Sequence, residues 1–313
     1  MSGKDMMIKV ERFESGIVVH GGAGADKTYE DGCIKAAQAG RVLLRDGDSA
    51  LDAVVAAVTV LENDGRFNAG TGAELGLDGA TIEMDASVMD SNGHLGAVAC
   101  LQAVRNPVRV ARAVADTPHH LICGQGALLL ARHMGHEPYY DVSERQRKAH
   151  RELLAELEKA GAATPGVPNT DFMRYWNYDV PLTFPFRTKA ACDTVGAVAR
   201  DAAGHFAVAG STGGASPALL GRVGDTAIIG SGFYAGAKGA VAVTGMGEHF
   251  MRPMLAREVY QWLADGMPME HALRRGVELF DQEIGVGLIA ITATEAGSAS
   301  NRDMPCGALG MNG

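Results

Sequence analysis

Cysteine is scarce and badly spaced for a scaffold. The five residues, Cys33, Cys100, Cys123, Cys192 and Cys306, are odd in number and include no Cys-x-x-Cys pair. That excludes a disulfide framework or a thiolate zinc site as the organising device, and it fits a reducing, cytoplasmic setting. Long apolar runs are missing as well. Nowhere do 18 apolar residues follow one another, and the first twenty, MSGKDMMIKVERFESGIVVH, are punctuated by charge. Neither a membrane span nor a secretion signal is expected. Lysine and arginine form no run and the net charge is −9. Nucleic acid and anionic membranes are therefore poor partners, whereas a small or cationic ligand is easily accommodated.

Glycine, by contrast, is abundant. The chain has 41 among 313 residues, above the average of roughly 7%, which points to tight turns and close backbone approach. With 47% hydrophobic and 21% charged residues the composition is globular. The length suits one large layered α/β unit or two ordinary ones.

Along the chain, Ile17–His20 is a β-branched run breaking into Gly21-Gly22-Ala23-Gly24-Ala25, a buried strand followed by a tight turn. From Ser49 to Glu62, Leu51, Val54, Val55, Val58 and Leu61 recur at helical spacing, and Ser49 with Asp52 forms a capping-box-like start. Strands are predicted over Thr81–Ala86 and Gly96–Val104, helices over Pro107–Asp116, Gly124–Met134 and Ser143–Gly161, the last capped by Ser143 and Gln146. Residues 162–191 lose both periods among Pro165, Pro168, Pro181 and Pro185 and read as a long exposed connector. Order returns at Thr194–Ala199 and Phe206–Gly210, a hairpin-like pair. Strands follow at Thr226–Ile229, Ala240–Val243 and Leu288–Thr292, with helices near His249–Asp265 and Met269–Gln282. Strands and helices come in blocks, which favours layers over a doubly wound sheet.

The chemistry-bearing segment is Cys192-Asp193-Thr194-Val195-Gly196-Ala197-Val198, where the connector ends and a buried strand begins. A cut before Thr194 would be tolerated there. The freed α-amino group, with an unperturbed pKa of roughly 7.7–8, could then serve as general base for the same residue's hydroxyl. Taken alone, Asp-Thr also reads as a turn residue entering a β-branched strand. It has company, however, in Gly210-Ser211-Thr212-Gly213-Gly214, Gly221-Arg222-Val223-Gly224-Asp225, Thr244-Gly245-Met246-Gly247-Glu248, His20-Gly21-Gly22-Ala23-Gly24 and Phe67-Asn68-Ala69-Gly70.

In order and spacing these motifs resemble the isoaspartyl peptidase/plant-type asparaginase family of N-terminal nucleophile hydrolases, over most of 17–135 and 192–294. The resemblance implies an α+β fold, a four-layer αββα sandwich forming one structural domain. It also implies self-cleavage between Asp193 and Thr194, giving an α chain of about 1–193 and a β chain of 194–313, and a dimer of αβ units. By position, Thr194 resembles the nucleophile and Thr212 the second threonine that orients it. Thr244 and the N–H of Gly245 resemble the oxyanion hole, where losing one donor costs about 10²–10³ in rate. Arg222 and Asp225 resemble the clamp on a substrate's α-carboxylate and α-amine, a pairing that suits a planar guanidinium and a carboxylate. Gly247 resembles a backbone contact to that amine, and Asn68 a residue assisting self-cleavage or positioning. The segment from Leu61 and Glu62 through Asp64, Phe67, Ala69 and Thr71 resembles a loop whose carbonyls hold a structural Na⁺; no cofactor is implied for catalysis.

Some features depart from the family pattern. Met246 replaces a Thr or His, the segment between Tyr234 and Thr244 is a residue short, and Ala215–Leu220 lacks the polar residues common before the Gly-Arg-Val-Gly-Asp motif. They bear on the leaving-group side and leave open the choice among asparagine, β-aspartyl dipeptides and another β-aspartyl amide. Taken singly, Arg222 and Asp225 also read as a surface ion pair, and Thr212 and Thr244 as strand residues. An uncleaved amino-acid-binding protein on the same scaffold is the rival reading. A nucleotide-binding loop at Gly21–Gly24 lacks a following Gly-Lys-Ser/Thr. His119/His120 and His133-x-x-His136 have no carboxylate or cysteine partner at ligand spacing, so no metal is assigned to them.

Overall fold

The computed structural model describes residues 6–12, 15–159 and 194–311. The connector assigned to 162–191, and Asp193 with it, lie outside the described residues.

Among the described residues the strands build two sheets. In the first, β1 (Met7–Arg12), β11 (Glu295–Ser300), β10 (Val286–Thr292), β9 (Gly239–Gly245) and β8 (Phe233–Gly236) lie side by side, every neighbour antiparallel. The second runs β12 (Cys306–Gly310), β2 (Gly16–His20), β6 (Val195–Arg200), β7 (Phe206–Thr212), β3 (Met84–Asp90), β4 (Leu95–Leu101) and β5 (Leu121–Cys123). Only its β4–β5 pair is parallel.

Successive side chains of a strand point to opposite faces, so a strand covered on both sides reads as an unbroken apolar run. Strand β6 is such a case. Val195, Ala197 and Ala199 join a core with α1 (Glu30–Asp46), α2 (Ala50–Asn63), α3 (Pro107–Val114) and α4 (Gly124–His133). On its other face Val198 packs with Val18, Phe206 and Val208 against Phe233, Ala242, Ile289 and Ile291 of the first sheet. A third core lies between β9 and β10 and two further helices, α7 (Leu255–Ala264) and α8 (Met269–Glu278). The protein is thus a mixed α+β fold of two sheets and helices.

Helix α2 starts as its sequence predicts. The Ser49 hydroxyl accepts from the Asp52 N–H at 3.1 Å and donates to the Asp52 carboxylate at 2.6 Å, and Leu51, Val54, Val58 and Leu61 are buried. The Ser143 cap on α5 (Glu144–Lys159) also forms, with Gln146 Oε1 accepting from the Ser143 N–H at 2.7 Å.

Three expectations fail. The strand predicted over Thr81–Ala86 is displaced to Met84–Asp90, leaving Thr81–Glu83 outside it. Thr226–Ile229 is not a strand. A 3₁₀ turn spans Asp225–Ala227, because the Asp225 carbonyl accepts from the N–H groups of Ile228 and Gly232, and the Thr226 carbonyl from the Ser87 hydroxyl. Nor is His249–Asp265 one helix. A short α6 (Gly247–Met251) stops before α7, with Met254 in the left-handed region at φ 50° after Pro253. No helix among the described residues is long and apolar enough to cross a membrane.

Ile289 is fully buried between the sheets. Ile289→Ala is expected to cost about 2–5 kcal/mol, read as a lowered urea midpoint at unchanged m-value.

Candidate active site

The predicted threonines and Gly245 sit at the ends of strands, while Asn68, Arg222 and Asp225 lie in loops and turns. Val195 pairs with Ser211 across the β6–β7 hairpin, so Thr194, just before β6, and Thr212, the last residue of β7, lie at the same end. Thr244 and Gly245 close β9 and His20 closes β2. One cleft is lined by Thr194, Thr212, Arg222, Asp225 and Gly245. A larger cavity of about 460 Å³ between β1, β11 and β12 is lined by none of the predicted residues.

Thr194 is buried, and its N–H donates to the Thr244 hydroxyl oxygen at 3.3 Å; that oxygen also accepts from the Ala23 N–H at 3.2 Å. The Thr212 hydroxyl accepts from the Gly214 N–H at 3.2 Å. Gly245 has φ +127°, and a Cβ there would lie 2.1 Å from the Gly285 carbonyl, so only glycine fits. Gly247 is restricted differently, since its Cβ would meet an Asp225 carboxylate oxygen at 2.1 Å.

Arg222 does not stand alone with Asp225. Its Nε and Nη2 both donate to Glu248 Oε1, at 2.7 and 2.6 Å. Glu248 ends the Thr244-Gly245-Met246-Gly247-Glu248 motif, and its spacing of 26 residues from Arg222 carries no local signal. Asp225 is buried, and its Oδ2 has no hydrogen-bond partner among the described residues. Burial pushes its carboxyl up to about 7, against the pull of Arg222. A buried carboxylate oxygen left without a donor is costly, and an ammonium group entering the cleft would satisfy it.

Asn68 bridges two loops. Its Nδ2 donates to the Gly214 carbonyl at 2.8 Å and its Oδ1 accepts from the Glu74 N–H at 3.1 Å.

The loop assigned to Na⁺ folds tightly on itself. The carbonyls of Leu61, Asp64, Phe67 and Ala69 accept from the N–H groups of Asp64, Phe67, Ala69 and Gly72, each keeping a second lone pair. A Cβ on Gly70 would lie 2.5 Å from the Glu62 carbonyl, and one on Gly72 within 2 Å of the Phe67 carbonyl. Carbonyl oxygens crowd here, and oxygen donors fit a hard cation. The loop's carboxylates are otherwise engaged: Asp64 holds Arg66, at 2.6 Å, while Glu62 turns inward. The Thr71 hydroxyl lies 3.2 Å from the Tyr139 hydroxyl.

Three buried polar side chains escaped the sequence reading. Glu62 Oε1 accepts from the Ser211 hydroxyl at 2.7 Å and the Val108 N–H at 2.9 Å, and Oε2 from Asn106 at 3.1 Å. It thereby ties α2 to α3 and to the residue before Thr212. Asp85 accepts from the N–H groups of Cys100 and Gly224, both at 3.0 Å, and so holds the Arg222–Asp225 segment against β3 and β4. His20 is fully buried beside Gly196, and neither ring nitrogen meets a partner at hydrogen-bond distance and angle. Burial lowers its pKa to about 3, opposed only by the Thr194 backbone, so the ring is neutral.

Two sheets that bring threonine hydroxyls, a glycine turn and an Arg/Asp pair to one cleft form the frame of an enzyme site. Residues 13–306 match a protein family described as Asparaginase. The chain is 38% identical to the plant-type L-asparaginase of Pyrococcus abyssi over 289 residues, 90% of each chain. It is 39% identical to the isoaspartyl peptidase/L-asparaginase of Xenopus laevis over 280 residues, covering 86% of this chain and 82% of that one. The Mus musculus protein of the same name is 38% identical over 291 residues, with 89% and 82% covered. The chain belongs to this asparaginase family and is an enzyme of the amidohydrolase kind.

Burial raises the Glu62 carboxyl from its ordinary 4.5 to about 7, against the three donors that favour its charged form. Between those values the folded protein holds a proton that the unfolded chain has lost, so this group's contribution to stability falls as pH rises from about 4.5 to about 7. Glu62→Gln, which mimics the protonated form, is expected to gain on wild type across that window, by an amount on the order of 3 kcal/mol. Urea unfolding of both proteins at pH 4.5 and 7.5 measures it.

Proposed function

We propose that this chain is a self-cleaving N-terminal-threonine amidohydrolase acting on β-aspartyl amide bonds, with L-asparagine and isoaspartyl dipeptides as its substrates. The observation that carries the reading is the meeting of Thr194, Thr212, Arg222, Asp225 and Gly245 in one cleft, with the Thr194 N–H held on the Thr244 hydroxyl.

In this reading the Thr194 hydroxyl attacks the carbonyl of Asp193, the acyl group moves from nitrogen to oxygen, and water hydrolyses the ester. An α chain of about 1–193 and a β chain of 194–313 result, still folded as one domain. The freed α-amine takes the proton of its own hydroxyl, which attacks the side-chain carbonyl of the aspartyl group. Thr244 and the Gly245 N–H stabilise the oxyanion, and the amine returns the proton to the departing ammonia or amine. Water then releases aspartate from the acyl-enzyme. Thr212 orients the nucleophile, and Asn68, with both ends of its amide engaged, fixes the loops around it. Arg222 takes the substrate's α-carboxylate, while Asp225 and the backbone of Gly247 take its α-amine. The unpartnered Asp225 oxygen supports that assignment. The printed names of the relatives, L-asparaginase and isoaspartyl peptidase, supply the two substrates.

The reading extends to the architecture. The three stacked cores support the four-layer αββα sandwich of N-terminal nucleophile hydrolases. The carbonyls of Leu61, Glu62, Asp64, Phe67, Ala69 and Thr71 would hold a Na⁺ that braces the loop leading to Asn68. A cytoplasmic dimer of αβ units completes the proposal.

Intact mass spectrometry of wild type beside Thr194→Ala tests the central claim. Two fragments divided before Thr194 in wild type only, with aspartate released from asparagine and a β-aspartyl dipeptide, are expected. A single wild-type chain that releases nothing on prolonged incubation overturns it. For the cation, the melting temperature should be a few degrees higher in NaCl than in choline chloride of equal ionic strength; equal values remove the Na⁺ site.

A further inference from the structure

A second hollow adjoins the Thr194 cleft and shares Gly214, Ala215 and Arg222 with it. Its remaining wall includes Glu74, Leu75, Glu83 and Leu219. Asn68 sets the spacing of the two loops that form it, through its bonds to the Glu74 N–H and the Gly214 carbonyl. The Gly213 N–H adds a bond to the Asn68 carbonyl at 3.0 Å. These loops are in contact, since a Cβ on Gly213 would lie 2.3 Å from the Cα of Ala73. The position of Glu74 is therefore tied to that of the cleft.

Two carboxylates, Glu74 and Glu83, stand in the hollow's wall, and among the described residues neither forms a salt bridge. Among the described residues Glu83 accepts from neutral donors, the Gly221 N–H at 2.7 Å and Gln102 at 3.2 Å. The half-buried Glu74 carboxylate has no hydrogen bond or ion pair among the described residues. Burial pushes its carboxyl up, and Arg145 opposes this from the α5 side, but the Arg145 Nη2 donates to the Gly72 carbonyl at 3.0 Å. Arg222, at the inner end, is engaged by Glu248. Leu75, Leu219 and the small residues between them offer an apolar track to an aliphatic stem. In the stretch Ala215–Leu220 Ser216 is the one polar residue.

We propose that this hollow is the subsite for the leaving group and that it selects amines carrying a second positive charge: β-aspartyl dipeptides whose other residue is lysine or arginine. The proposal rests on the hydrolase reading above. With the aspartyl moiety's own α-groups held by Arg222 and Asp225, the substituent on the scissile nitrogen passes over Gly214 and Ala215 towards Glu74 and Glu83.

The test compares kcat/KM for β-aspartyl-lysine and β-aspartyl-leucine, whose shared α-carboxylate cancels in the ratio. Wild type should favour the lysine compound by about fivefold or more, chiefly through KM. Glu74→Gln should bring the ratio down to within about twofold of unity, and Glu74→Lys should shift preference towards β-aspartyl-glutamate. Should the variants not fold, the wild-type ratio itself should fall by at least about half between 20 and 500 mM NaCl, because salt screens a partly exposed pair. Equal wild-type values for the two dipeptides, or a ratio indifferent to both Glu74→Gln and salt, overturn the subsite and leave the hydrolase standing. A processed protein that releases aspartate from no β-aspartyl compound overturns both.

Discussion

One buried oxygen holds the cleft together. The Thr244 hydroxyl belongs to the first sheet, yet it accepts from Ala23, in the turn after β2, and from Thr194, at the head of β6, both in the second. Two sheets packed through apolar side chains alone could slide with little directional penalty, because the hydrophobic contact between them is not directional. A hydroxyl shared by two buried N–H groups fixes their ends in register, since losing it strands both donors at about 1–3 kcal/mol each. The nearness of Thr194 and Gly245 follows from that tie.

Around this tie the buried carboxylates divide into two kinds. Glu62 and Asp85 have donors on both oxygens, and their work is to hold α3, β7 and the Arg222–Asp225 segment in place. Asp225, equally buried, keeps an oxygen with no partner among the described residues. A fully satisfied carboxylate is scaffold, whereas one left short at the wall of a cleft is poised for something that arrives from outside. His20 is a third kind: a buried neutral ring beside the Thr194 backbone, wedged where only glycine at 196 leaves room.

Much of the architecture was legible in local signals. The Ser49 and Ser143 caps and the Val195–Ala199 run formed as their residue types require, and three of the five motifs lie at strand ends. The misses have physical causes. Helix α1 carries Gly32 and Gly40, which weaken its periodic signal; they are there because a Cβ on Gly40 would strike Ile17 at 2.4 Å. Strands β11 and β12, EAGSAS and CGALG, are built of small residues that favour no period, and their pairing across the sheet decides their state. Thr226–Ile229 has strand-like residue types, but the carbonyl of Asp225 draws the chain into a turn. The partnership of Arg222 with Glu248, and the roles of Glu62 and Asp85, depend on contacts between distant segments that no window of sequence contains.

The order of strands across the two sheets has a further meaning. A break before position 194 would divide the chain, but not the sheets. Strand β1 lies beside β11 in one, while β2 lies between β12 and β6, and β7 beside β3, in the other. The two portions are laced together like the fingers of clasped hands, so a chain opened at that point would keep its shape without a covalent link. Once unfolded, though, it would have to find its other half by diffusion. Recovery would become second order in protein, and a process that begins as the folding of one molecule would end, after a single broken bond, as one that cannot readily be run backwards in dilute solution.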